Sequence, residues 1–191
     1  EIEKIYPLSY MQENCLFNKM LDKQDKYIVQ VVMNVYKELK EEKIYSVMEK
    51  MASRFEILRT AIFYKQQKVA RNVQFVERNI PVTFEDFDGF DSQTIDKQIK
   101  KYIAKEKKSS WDFEKDPLFR VHVINIGENQ SKLIWSFHHI IMDGWCLDII
   151  NNLFIQLYEE IDYQENQKIS EYSDFVELLD SNNEIKTKYF W

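Results

Sequence analysis

The chain is poor in glycine, cysteine, proline and histidine, and each scarcity removes a class of protein. Only three glycines occur in 191 residues, Gly89, Gly127 and Gly144. They are too scattered for a phosphate loop or a dinucleotide fingerprint, which excludes kinase, GTPase and Rossmann-type chemistry. Two cysteines, Cys15 and Cys146, are too few for a disulfide scaffold or a zinc knuckle, and they fit the pattern of buried thiols. No segment approaches the roughly 20 apolar residues that cross a bilayer, so no membrane partner is expected. No signal-peptide pattern opens the chain, and a cytoplasmic location is the simplest expectation. Positive charge is in deficit too: 26 Lys and Arg against 32 Asp and Glu leave a net charge of −6. A phosphate-binding surface needs the opposite sign, so nucleic acid is not an expected partner.

What the chain does have is apolar material, 45% hydrophobic and 15% aromatic, enough for one compact domain with a core. It begins at Glu1 without an initiator Met and ends on Tyr189-Phe190-Trp191. A piece of something longer is therefore expected. No internal repeat, low-complexity tract or Gly/Ser linker divides it.

Periodicity sets out an α+β order, for one domain or one lobe of a larger one. Ser9 followed by Gln12 and Glu13 reads as a capping box opening a helix to about Leu21. Alternation from Tyr27 to Val35 predicts a strand. Ile44, Val47, Met48, Met51, Ala52 and Phe55 recur at helical spacing, predicting a helix over 41–57. Residues 61–64 and 69–76 flank a polar turn and read as a hairpin, and residues 82–87 as a short strand before a turn at Asp88-Gly89. Ile95, Ile99, Tyr102 and Ile103 mark a helix. Strands 118–126 and 132–138 join at Gly127-Glu128-Asn129. Trp145, Ile149, Ile150, Leu153, Leu157 and Ile161 define a further helix, and residues 172–179 a last one.

The chain has three histidines, two of them adjacent: His138 and His139, at the end of a strand. Neighbours on an extended strand point to opposite faces, so one ring should look into a cleft and the other into the structure. A neutral imidazole can accept a proton from a nucleophile attacking a carbonyl, which fits acyl transfer. Free N–H groups around Gly144, where the next helix begins, are candidate donors to a tetrahedral oxyanion. Asp143 is expected to hold the loop. Divergent histidines and one aspartate make a poor ligand set, and no metal is expected. His122, on the preceding strand, reads as structural, and Cys146 as a packed residue in the first turn of its helix.

These residues resemble a known family. His138 to Gly144 reproduces the H-H-x-x-x-D-G signature of nonribosomal peptide synthetase condensation domains, relatives of chloramphenicol acetyltransferase. Four further segments resemble family motifs in order: Tyr6-Pro7-Leu8-Ser9-Tyr10-Met11-Gln12, Arg54-Phe55-Glu56-Ile57-Leu58-Arg59-Thr60, Trp111-Asp112-Phe113 through Pro117-Leu118-Phe119-Arg120, and Tyr172-Ser173-Asp174-Phe175. The departures are Phe55 in place of His, Asn14 in place of Gly or Arg, and Cys146 in place of Ser.

The resemblance implies that residues 1–191 form the N-terminal subdomain of a condensation domain, a chloramphenicol acetyltransferase-like lobe of mixed β-sheet flanked by helices, whose C-terminal companion is absent from the chain. It implies amide-bond formation between acyl or peptidyl and aminoacyl thioesters. These are borne on phosphopantetheine arms of donor and acceptor carrier domains, with an adenylation domain in the same synthetase and no cofactor bound directly. His139 matches the catalytic histidine, as base or as orienting group, and His138 the structural one. Gly144 and Trp145 support the site. Asp143 matches the aspartate of a structural salt bridge, with Arg54 the first expected partner and Arg59 the second. The combination of Met142 to Cys146 with the Tyr6 to Met11 opening is more similar to domains that accept a D-configured donor. The alternatives are a coenzyme A-dependent acyltransferase of the same superfamily and a condensation-like domain that only docks partners. Lys97, Lys100, Lys101, Lys105, Lys107 and Lys108 read either as a solvated helix face or as a dock for an acidic carrier domain.

Overall fold

A computed structural model describes residues 1–21, 26–109, 111–161, 169–179 and 181. The elements run β1 (Ile2–Pro7), α1 (Tyr10–Leu21), β2 (Ile28–Val35), α2 (Glu41–Arg54), a 3₁₀ turn (Glu56–Arg59), β3 (Thr60–Phe63), β4 (Arg71–Phe75), β5 (Val82–Asp86), α3 (Ser92–Lys108), β6 (Phe119–Gly127), β7 (Gln130–His138) and α4 (Cys146–Glu159). A further helix, α5, covers residues 172–179.

The strands form two sheets. Four make a mixed sheet in the order β2-β7-β6-β5, with β5 parallel to β6 and the other pairs antiparallel. Three make a small antiparallel sheet in the order β1-β4-β3. The strand at β1 has no counterpart in the sequence reading. Of its six residues only Tyr6 is buried, and Ile2 and Ile5 face solvent, so no alternation announces it.

Alternation along β7 divides the large sheet. Leu133, Trp135 and Phe137 join Phe119, Val121 and Val123 against α2 and α4, with the Trp135 and Phe154 rings edge to face at 5.8 Å. Ile134, one residue out of phase, packs with Ile124 under Ile95 and Ile99 of α3. The sheet is thus sandwiched, with the larger core on the α2–α4 side. Each large side chain so enclosed stabilises the fold by about 1.5–3 kcal/mol relative to exposure.

The β6–β7 hairpin closes on Glu128 and Asn129, both at positive φ (49° and 55°), with Gly127 paired to Gln130. This is the left-handed two-residue turn that suits strand twist. Gly127 is itself at φ +77°, and a Cβ there would lie 2.0 Å from Asp88 Oδ1, so the hairpin and the β5–α3 turn touch where only glycine fits.

The helix expected over 41–57 stops at Arg54. Phe55 is extended (φ −118°, ψ 101°) and the chain resumes as the 3₁₀ turn. All six lysines of α3 face solvent. No helix among the described residues is long and apolar enough to cross a membrane.

Candidate functional site

β7, an inner strand of the large sheet, brings the histidines to its C-terminal end. Its register sets His138 opposite Ile28, and the two flanking segments then hold the main chain. His138 N–H donates to Leu118 O (3.0 Å) and His139 N–H to Tyr27 O (2.9 Å). The chain turns at once, with Ile141 N–H donating to His138 O (3.1 Å).

The two rings part as strand alternation requires. His138 is fully buried, edge to face with Phe113 at 4.6 Å. Its Nδ1 accepts the N–H of Ile140 at 3.0 Å, so that nitrogen carries the lone pair and, in the neutral ring, the proton sits on Nε2. His139 is half-buried, its ring 6.3 Å from that of Phe137 on the same side of the strand.

Asp143 is exposed and works at the start of α4. Its Oδ1 accepts the N–H groups of Trp145 (3.0 Å) and Cys146 (3.2 Å), two of the donors a helix start leaves without partners. Burial acts to raise its pKa, but the bonds from Cys146 and Trp145 and the nearby His139 outweigh it, and the carboxyl titrates below its ordinary value. Of the amides around Gly144 expected to be free for an oxyanion, those of residues 145 and 146 already serve Asp143 and that of Leu147 serves Gly144 O. Gly144 is open, with no atom within 4 Å of a Cβ placed there. Trp145 is 87% exposed.

The structure corrects the expected ion pair between Asp143 and an arginine. Among the described residues no salt bridge joins Asp143 to Arg54 or Arg59. Arg59 points to the small sheet instead. Its guanidinium pairs with Glu3 at 2.7 Å and donates to the carbonyls of Ala52, Phe75 and Val76. Arg54 ends α2 and is half-buried.

Sequence reasoning missed two groups that hold the loop and one that holds the start of α5. The Tyr27 carbonyl is main chain and leaves no sequence signal. Gln12, foreseen only as a capping residue, donates from Nε2 to Ile140 O at 3.2 Å. Glu56 is buried; its carboxylate accepts the Tyr172 N–H where α5 begins, and burial pushes its pKa up.

Beside the loop lies an apolar groove of about 490 Å³, walled by Met11, Phe55, Ile57, Met142, Ile149 and Phe175, with Asp143 and Cys146 at its edge. His139 is not in its wall. Desolvation raises the Cys146 thiol pKa, which argues against a thiolate nucleophile there. Among the described residues no group of three or more His, Cys, Asp or Glu side chains is placed to hold a metal ion.

Comparison with known proteins places the chain in a family. The chain is 30% identical over 199 residues to bacitracin synthase 1 of Bacillus licheniformis, covering 100% of itself and 4% of that protein. It is 27% identical over 194 residues to gramicidin S synthase 2 of Brevibacillus brevis, again 100% of itself and 4% of the relative. The chain therefore spans less than a tenth of these synthases. The first condensation domain of the calcium-dependent antibiotic synthetase superposes with a TM-score of 0.80 at 10% identity, over 94% of this chain and 44% of that one. A likeness so close in shape at so low an identity shows the fold: mixed sheet and flanking helices as in condensation domains. The sequence model of the Condensation domain family matches residues 2–191, and the chain belongs to that family.

Proposed function

We propose that this chain is the N-terminal lobe of a condensation domain and supplies His139 to amide-bond formation between two carrier-tethered thioesters. The division of labour between the histidines carries the proposal: His138 is sealed and bonded, while His139 leaves the same strand end half-open to solvent. The solved condensation domain is more than twice as long as this chain, which supports a companion lobe facing the site.

In the proposed reaction the amine of an aminoacyl thioester attacks the carbonyl carbon of an acyl or peptidyl thioester. The C–N bond forms and the C–S bond breaks. The neutral imidazole of His139 takes the amine proton and hands it to the departing phosphopantetheine thiolate, which returns the ring to its neutral form. His138 and Asp143 hold the loop, Gly144 leaves room above it, Trp145 offers its indole to the companion lobe, and Arg54 and Arg59 brace the segment behind. The partners are donor and acceptor carrier domains and an adenylation domain of one cytoplasmic synthetase. The exposed lysines of α3 form the dock for an acidic carrier surface.

The test is single-turnover condensation with loaded carriers in the complete two-lobe protein. His139→Ala should abolish product while leaving the melting curve unchanged, and full turnover in that variant would sink the assignment. Reversal of Lys97, Lys101 and Lys105 should weaken carrier binding, most at low salt; unchanged binding would return α3 to a plain solvated face.

A further inference from the structure

A capping box asks only for an acceptor at its third helical position, and glutamate serves there as well as glutamine. Gln12 meets that demand with Oε1, which accepts the Ser9 N–H at 3.1 Å while Gln12 N–H returns a bond to Ser9 Oγ at 3.3 Å. Its Nε2, which a cap does not need, is fully used. It donates to Asn72 Oδ1 at 3.0 Å and to Ile140 O at 3.2 Å. Asn72 answers with Nδ2, which donates to Gln12 Oε1 and to Pro7 O, both at 2.8 Å. Gln12 and Asn72 are both 0% exposed. The two amides form a closed reciprocal pair, and every donor and lone-pair site of the Gln12 side chain is occupied.

From this we infer that Gln12 is a positioning residue for His139, an inference that rests on the proposed role of that imidazole. Four bonds surround the His139 backbone: Tyr27 O holds its N–H, His138 Nδ1 holds the N–H of Ile140, His138 O holds the N–H of Ile141, and Gln12 holds the Ile140 carbonyl. The first lies just ahead of β2, and the next two belong to the histidine pair itself. Of the four, only the bond from Gln12 leads to the small sheet, through Asn72 on β4 and Pro7 on β1. Without it the dihedrals that aim the imidazole lose one of four restraints, and displacement of a reacting group by about 1 Å can cost about a hundredfold in rate.

Gln12→Glu separates this role from capping. It keeps the acceptor for Ser9 and Asn72 and sets a carboxylate oxygen against the Ile140 carbonyl; protonation then restores a donor. In the 191-residue chain, amide and imidazole NMR signals of residues 139–141 should shift while those of α3 stay in place, and they should move back toward the wild-type positions on acidification. In the complete two-lobe protein, turnover should fall by about tenfold or more with KM within about twofold. Wild-type signals at 139–141, or wild-type turnover, would overturn the inference. His139→Ala is assayed alongside: its loss of turnover with an unaffected Gln12→Glu rejects positioning alone, and its full turnover rejects the proposed function, while the NMR arm still decides the coupling of Gln12 to the loop. If the carboxylate prevents folding, the same two readouts on Gln12→Met decide.

Discussion

His138 Nδ1 receives the main-chain N–H of Ile140 at 3.0 Å from within a fully enclosed pocket against Phe113. Removing the ring leaves both a void and a buried amide without a partner. His138→Ala should therefore cost about 2–4 kcal/mol of unfolding free energy. His139→Ala, on the half-open side, should stay within about 1 kcal/mol. Urea denaturation of the two variants, run in parallel, checks the asymmetry; equal losses would contradict it.

Asp143 accepts the amides of Trp145, the N-cap position, and of Cys146, doing a cap's work from two residues ahead, which sets the size of its effect. Asp143→Ala should lose about 1 kcal/mol, the usual worth of a helix cap, and not the 3–5 kcal/mol of a broken buried ion pair. Because Arg59 serves Glu3 and three carbonyls instead, the double variant Asp143→Ala/Arg59→Met should equal the sum of the singles within about 0.5 kcal/mol. A coupling energy above that in denaturant titrations would restore the ion pair.

The His122 ring gives a pH dependence. It is buried, stacked on Tyr102 at 4.0 Å and bonded through Nδ1 to Thr83 Oγ1, while Nε2 has no hydrogen-bond partner among the described residues. Desolvation lowers its pKa, Glu85 opposes that, and Lys105 adds to it. A depressed folded-state pKa means the unfolded chain takes the proton first. The stabilising share is present above the unfolded value of about 6.5 and is lost as pH falls through the folded one. His122→Gln should flatten the fall in stability between about pH 7 and 5. Glu56, with its pKa raised by burial, works in the opposite direction at lower pH, so the difference between variant and wild type is the quantity to measure.

Gly127 should resist substitution. At φ +77° with Asp88 Oδ1 where a Cβ would go, Gly127→Ala should lower stability by more than about 1 kcal/mol. Asp88→Gly in the same chain should recover the steric part but not the conformational part. Calorimetric melting of the single and double variants tests both.

Much of this was legible in the sequence, for identifiable reasons. The Ser9–Gln12 box, the alternation that separates His138 from His139, and the turn at Glu128-Asn129 are local patterns, and local patterns carry their own physics. Less visible were β1, which buries one side chain in six, and the break after Arg54, which is a property of the Phe55 dihedrals. The long reaches left no trace: Gln12 meets Ile140 across 128 positions, and Arg59 meets Glu3 across 56. Periodicity tells which face is buried but not what a polar group finds there.

Trp145 stands almost bare in solvent, six positions beyond His139, whereas Trp111 and Trp135 are wholly enclosed. With Trp191 replaced by Phe, the protein's intrinsic fluorescence would contain one water-exposed emitter beside two shielded ones. Acrylamide should then quench the red part of the emission first, and any partner that covers the mouth of the site should report itself as a blue shift and lost quenching, without a label.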